Sequence, residues 1–177
     1  MMPILMLIFW SLIIKSILNQ TSLILFGHRR VAKLLVWREI GQKTKHFGDK
    51  IITAEMLEED MKKRGLPLLR KTEEIIEYLK PKHYFIENPK TGKMKHFMKH
   101  HTYYDVDYCR YADWGYKKST RIWTNKMGFK PLCCNKNCGN MVDGKHAVQL
   151  GGQRGKRTSD KNRSRVPPKL IKELFMC

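Results

Sequence analysis

Between residues 53 and 89 the chain is so closely punctuated that only two helices and a strand fit. Thr53 can accept at a helix N-terminus, Glu55, Glu58, Glu59 and Asp60 crowd the first turns, and Lys62, Lys63 and Arg64 the last. Acid at the start and base at the end complement a helix dipole. Gly65 stands where a C-terminal glycine belongs, which predicts that the first helix ends there. Pro67 suits the first turn of a second helix, LPLLRKTEEIIEYLK, whose Leu68, Leu69, Ile75, Ile76 and Leu79 form one apolar stripe and which Pro81 stops. His83-Tyr84-Phe85-Ile86 then reads as a buried strand, with Glu87-Asn88-Pro89 at its C-terminal end.

Downstream the pattern predicts a short helix over 93–100 and two further strands, 104–108 and 121–124, joined by a polar loop with Asp113, Gly115 and Lys117. The order helix, strand, helix, strand, strand suits an α/β fold with a largely parallel sheet. In such sheets ligands bind beyond the C-terminal strand ends, where Glu87 falls. A proline-started closing helix follows Arg165-Val166-Pro167-Pro168.

Charge narrows the partners. The chain has 35 Lys and Arg against 16 Asp and Glu, a net +19, and residues 101–177 hold 16 basic against 6 acidic side chains, a net +10. Such an excess calls for a polyanion, with nucleic acid the first candidate and a solvated basic surface the alternative. Within 151–165, Arg154, Lys156, Arg157, Lys161, Arg163 and Arg165 make a run that either contacts phosphates or is a solvated linker. His100 and His101 read as a solvated helix end.

Five cysteines in irregular spacing do not resemble a secreted disulfide framework and suit a reducing, intracellular setting. Cys133, Cys134, Cys138 and His146 are zinc-type ligands within fourteen residues. Adjacent Cys133 and Cys134 are hard to aim at one ion. The expected set is therefore one of them with Cys138, His146 and an unidentified fourth, and the alternative is a loop of free thiols.

Residues 1–14 are nearly all apolar, and a second apolar piece spans 23–26. The basic flank and small-residue site of a signal peptide are missing, and the longer run is short for a membrane helix. Buried core and a membrane anchor over 1–26 both remain open. The texture of this segment also suits a chain that begins partway through a gene.

The stretch 69–125, with KPKHYFIENPKTGKMK followed by VDYCRYADWGYKKSTRIWTN, and the tail GKH with RVPPKLIKELF, resembles the cytosine-5 DNA methyltransferase-like proteins of bacteriophages and large viruses. The resemblance covers about residues 53–175 and implies a partial Rossmann-like methyltransferase sheet with flanking helices and an irregular Cys-rich, basic C-terminal segment. The chain would then divide into an apolar and basic segment (1–50), a methyltransferase-like core (51–125) and the Cys/His cluster, basic loop and closing helix (126–177).

In that family a Glu-Asn-(Val or Pro) motif ends one strand and a Gln-x-Arg-x-Arg motif lies near a later one. Glu87 matches the acid that acts at cytosine nitrogen 3, Asn88 its neighbour and Pro89 the variant third position. A buried strand-end Glu with a raised pKa would suit that task. Arg121 matches the last arginine and would bind the flipped base or its phosphate, while Lys117 and Ser119 replace the other two positions. Lys117 and Lys118 would serve phosphate. The resemblance implies DNA as partner and S-adenosylmethionine as cofactor.

Two family features are not found. No Pro-Cys dipeptide occurs, and no cysteine precedes Cys109, which reads as a small packed residue. The stretch 23–33 has an apolar strand and Phe26-Gly27 but lacks the second glycine of a cofactor turn. Alone, the chain is expected to be weakly active or inactive. The competing reading is a non-enzymatic basic nucleic-acid-binding protein with a small zinc site.

Overall fold

The computed structural model describes residues 22–26, 40–41, 43, 48–150 and 165–176. The chain forms two compact units: Met1–Ile86 with Gly92–Lys99, and Glu87–Thr91 with His100–Cys177. Helices and small sheets are mixed, so the α/β class holds. The Arg154, Lys156 and Arg157 loop and most of the apolar N-terminus lie outside the described residues. Among the described residues no helix is long and apolar enough to cross a membrane.

Strand β1 (Ser22–Phe26) neighbours β2 (His83–Pro89), of which His83–Ile86 belongs to the first unit and Glu87–Pro89 to the second. Helix α1 (Ala54–Asp60) starts as expected: Thr53 is extended, and its Oγ1 accepts from the Met56 N–H at 3.3 Å. Gly65 does not end it. The glycine stays right-handed (φ −72°), and the helix continues through a π turn, Met61–Gly65, into α2 (Leu66–Leu79). Pro67 supplies the reason. Inside a continuous helix it can donate no bond to the Lys63 carbonyl, and its ring crowds that carbonyl. The wide turn just upstream, where the Leu66 N–H reaches back to the Met61 oxygen, lets the helix pass the proline.

The cations expected at the helix end instead pair one turn back, Lys62 with Glu58, Lys63 with Glu59 and Arg64 with Asp60, at 2.6–3.1 Å. Helix α2 stops as expected, with Lys80 left-handed (φ 43°) and its N–H on the Ile76 oxygen just before Pro81. The helix expected over 93–100 shrinks to a 3-10 turn, Lys93–His96. Residues 93–100 hold Lys93, Lys95 and Lys99 with no acid one turn away to pair them.

In the second unit β3 (Tyr103–Asp107) and β4 (Ser119–Thr124) pair antiparallel, with Asp105 opposite Arg121 and Asp107 opposite Ser119. A largely parallel sheet was expected, but this pair is antiparallel: residues 108–118 contain a single 3-10 turn, Tyr108–Arg110, and no crossover helix that could bring the chain back parallel. Beyond β4 from β3 lies the end of β2, where Lys90 N–H meets the Ser119 oxygen at 3.1 Å. A hairpin of β5 (Met141–Val142) and β6 (Lys145–His146) follows, then α3 (Pro168–Met176), proline-started as expected. Val106, Tyr108, Tyr116, Ile122, Trp123 and Leu170 are the buried centre of this unit. Lys126, itself buried, donates to the Leu174 carbonyl at 2.9 Å, placing a cation near the C-terminal end of α3. Arg165 stacks 3.7 Å from the Trp114 ring.

Candidate functional site

Strand alternation sorts the chemistry of the second unit. Along β4, positions 119, 121 and 123 share one face, and 120, 122 and 124 the other. Continued one residue upstream on each register, the rule puts Lys117 with Ser119 and Arg121, and Lys118 with Thr120.

On the Thr120 side, Glu87 is the acceptor of a compact cluster. Lys118 Nζ lies 3.0 Å from Glu87 Oε1, and the Tyr108 hydroxyl donates to the same oxygen at 3.2 Å. Both charged side chains are largely buried, Lys118 10% and Glu87 14% exposed. The Lys118 ammonium also stands over the Tyr108 ring, 4.6 Å from its centroid. Burial first, then the Glu87 charge, pushes the Tyr108 phenol well above its ordinary value, although a hydrogen bond with Thr120 opposes this. The phenol is therefore a fixed donor. Both bonds fall on Oε1, so among the described residues Oε2 of Glu87 has no hydrogen-bond partner. Asn88, the next residue, is fully buried.

The opposite side is a ladder of ion pairs. Arg121 grips Asp105 with two parallel bonds, Nε–Oδ1 at 2.7 Å and Nη2–Oδ2 at 2.9 Å, and stacks 3.6 Å from the Tyr103 ring. Lys90 adds a second cation to Asp105 at 3.2 Å. Burial raises the Asp105 carboxyl, but the bonds and charges of Arg121 and Lys90 outweigh it and hold the group below the usual aspartate range. Lys117 pairs with Asp107 at 3.1 Å and donates to the Cys134 carbonyl at 3.1 Å, and the Ser119 hydroxyl also bonds Asp107.

The expected site residues are thus divided. Glu87 and Asn88 sit where the sequence places them, although β2 runs on through Pro89 instead of ending before Glu87. Glu87 and Arg121, expected to face one pocket, share no hydrogen bond or ion pair among the described residues; alternation sets Arg121 on the other face from the Glu87 partners. Lys118 points inward at Glu87, while Lys117 is half exposed and already holds Asp107.

The cysteine loop makes a third constellation. Cys109, Cys134, Cys138 and His146 each place one ligand atom within 4.8 Å of all the others. His146 Nε2 is 3.4 Å from Cys138 Sγ and 3.7 Å from Cys134 Sγ. Cys133 is the odd one out of the expected four: exposed, with its thiol on the Asp105 carbonyl at 3.3 Å. Its neighbour Cys134 is buried with the other thiols. The fourth donor atom that stands with them is the Cys109 sulfur, buried in the turn after β3. Burial and the neighbouring thiols push the Cys109 thiol far up; burial, then the Lys117 charge, holds the His146 imidazole below its ordinary value and so neutral.

No protein-family model matches the chain, and no solved structure matches it. A curated relative, a "probable DNA (cytosine-5)-methyltransferase" of Frog virus 3 (isolate Goorha), is 44% identical over 134 residues, 70% of this chain and 63% of the relative. The chain thus spans less than two thirds of that protein's length.

Proposed function

That similarity supports a viral cytosine-5-methyltransferase-like family for this chain, and from that premise we propose that it recognises cytosine in DNA for methyl transfer to carbon 5. The observation that carries the reading is the Glu87 cluster. One carboxylate oxygen is locked by Lys118 and Tyr108, and the other is left to meet a ligand. A carboxylate fixed in this way is a good acceptor for the 4-amino group of cytosine, and it would repel the 4-oxygen that thymine and uracil carry there. Protonated, the same oxygen would donate to ring nitrogen 3 and relieve the charge that develops when a thiolate adds at carbon 6. The cytosine would reach it flipped out of the stack.

Asn88 and Pro89 would hold the strand end, and Arg121 would meet the backbone or base on the other side of β4. Lys117, and Arg154, Lys156 and Arg157 of the basic loop, would contact phosphates without reading sequence. S-adenosylmethionine would supply the methyl group. Strand β1 matches the strand expected before its turn, but residues 27–33 lie outside the described residues, so no residue is assigned to the cofactor. No described cysteine is assigned as nucleophile either, because Cys109, Cys134 and Cys138 stand together and the Cys133 thiol is held by Asp105.

The test is binding of the full chain to a duplex with one unpaired cytosine, against the same duplex with thymine there. One good base-edge contact is worth about 1–3 kcal/mol, so cytosine should bind about 5- to 150-fold tighter, and Glu87→Gln should erase most of that ratio. Equal affinities in the parent protein would remove the proposal. Tritiated S-adenosylmethionine in the same mixture separates two versions: label at cytosine makes the chain catalytic as it stands, and selective binding without label makes it the base-recognising part. The Cys/His cluster favours a second reading, a non-enzymatic nucleic-acid binder. It predicts affinity that falls steeply with salt and no preference for cytosine.

A further inference from the structure

We propose that Cys109, Cys134, Cys138 and His146, the last through Nε2, form a structural zinc site that ties the turn after β3 to the β5–β6 hairpin. The spacing of the donors is the first argument. Zinc binds thiolate at about 2.3 Å and imidazole at about 2.0–2.1 Å, so the edges of a tetrahedron of such donors are roughly 3.5–3.8 Å. The two sulfur–nitrogen separations here are 3.4 and 3.7 Å, and all four donor atoms fall within 4.8 Å of one another. A disulfide would employ two of the sulfurs at about 2.05 Å and give no role to the third or to the ring. All three cysteines are free thiols.

The frame around the cluster is the second argument. Val142-Asp143-Gly144-Lys145 closes a two-residue hairpin in which Asp143 (φ 49°) and Gly144 (φ 73°) are both left-handed, and this delivers His146. Lys136, also left-handed (φ 61°), bends the chain between Cys134 and Cys138. Buried Asn140 clamps the rest. Its amide nitrogen donates to the Cys109 and Ala112 carbonyls at 2.9 Å, and its oxygen accepts from the Gly115 N–H at 2.8 Å.

Charge is the third. Zinc with three thiolates and a neutral imidazole is a single net anion, and the Lys117 ammonium stands beside it on the Cys134 carbonyl at 3.1 Å. Binding replaces three S–H bonds by zinc–sulfur bonds and passes three protons to buffer, with no change of oxidation state. Four protein ligands leave no open position, so the metal would be structural. Tyr108 immediately precedes Cys109, so the metal would also fix the turn that carries the phenol onto Glu87.

The test uses the full chain, reduced and reconstituted with zinc or with cobalt(II) in place of zinc. The proposal expects about one metal per chain and the strong visible bands of tetrahedral cobalt–thiolate. Cys109→Ser should weaken binding at least tenfold, and Cys133→Ser should leave it unchanged. His146→Cys should keep the metal and change the cobalt spectrum toward four sulfurs, which guards against a variant that merely fails to fold. The proposal is overturned if the reconstituted parent protein takes up no stoichiometric metal, or if Cys133→Ser loses it as Cys109→Ser does.

Discussion

Lys118→Met is the most informative single change. It removes the ammonium 3.0 Å from Glu87 Oε1 and leaves a carboxylate that is only 14% exposed, with the Tyr108 hydroxyl as its remaining partner. Breaking a buried ion pair from one side costs about 3–5 kcal/mol, because the surviving charge stays desolvated. The retained phenol bond and the partial exposure of Glu87 reduce this to about 2–3 kcal/mol. For a chain of this size each kcal/mol moves the melting temperature by about 2–4 °C, so a fall of about 4–12 °C is expected. The double variant with Glu87→Gln removes both charges and keeps an acceptor for Tyr108; it should recover most of the loss, since an ion pair replaced on both sides is nearly neutral. Urea unfolding of the parent, the single variant and the double variant reads all of this. A single variant within about 0.5 kcal/mol of the parent would refute the inward, paired placement of Lys118.

Three further outcomes test the second unit. Asn140→Ala strips three hydrogen bonds from a buried position and should cost about 2–4 kcal/mol in chemical unfolding. Gly115→Ala meets both a left-handed backbone (φ 78°) and the Val148 Cγ2 at 2.9 Å, whereas Gly128→Ala meets only the backbone term (φ 85°) with open space; both should lose about 1–2 kcal/mol, and Gly115 measurably more. Because Asp105 is held below the usual aspartate range, its contribution is complete above that range and is lost as pH falls below it; Asp105→Asn should flatten that part of the acid unfolding curve.

What could be read in the sequence was local. Thr53, Pro81 and Pro168 mark helix ends through the chemistry of one or two residues, and the His83–Ile86 run is apolar enough to be a strand in any context. Gly65 misled because its C-terminal meaning depends on a left-handed backbone, and Pro67 two residues on forced a π turn instead. Long-range pairing was not legible: nothing in the 108–118 stretch states that β3 and β4 run antiparallel, apart from the lack of a crossover helix. Alternation counted back from Arg121 would have set Lys118 apart from Lys117, and so nearer Glu87. The place of Cys109 beside the other three is not legible because it lies far upstream of them, although Asp143-Gly144 is a hairpin signal that could have placed His146.

Glu87 Oε2 is the atom proposed to meet cytosine, and carboxyl NMR of the full chain labelled with 13C-glutamate reads that atom's group directly. The Glu87 resonance, identified by its loss in Glu87→Gln, should move on addition of a DNA carrying an unpaired cytosine and stay in place with unpaired thymine. A resonance that ignores both DNAs, or answers both alike, would contradict the account.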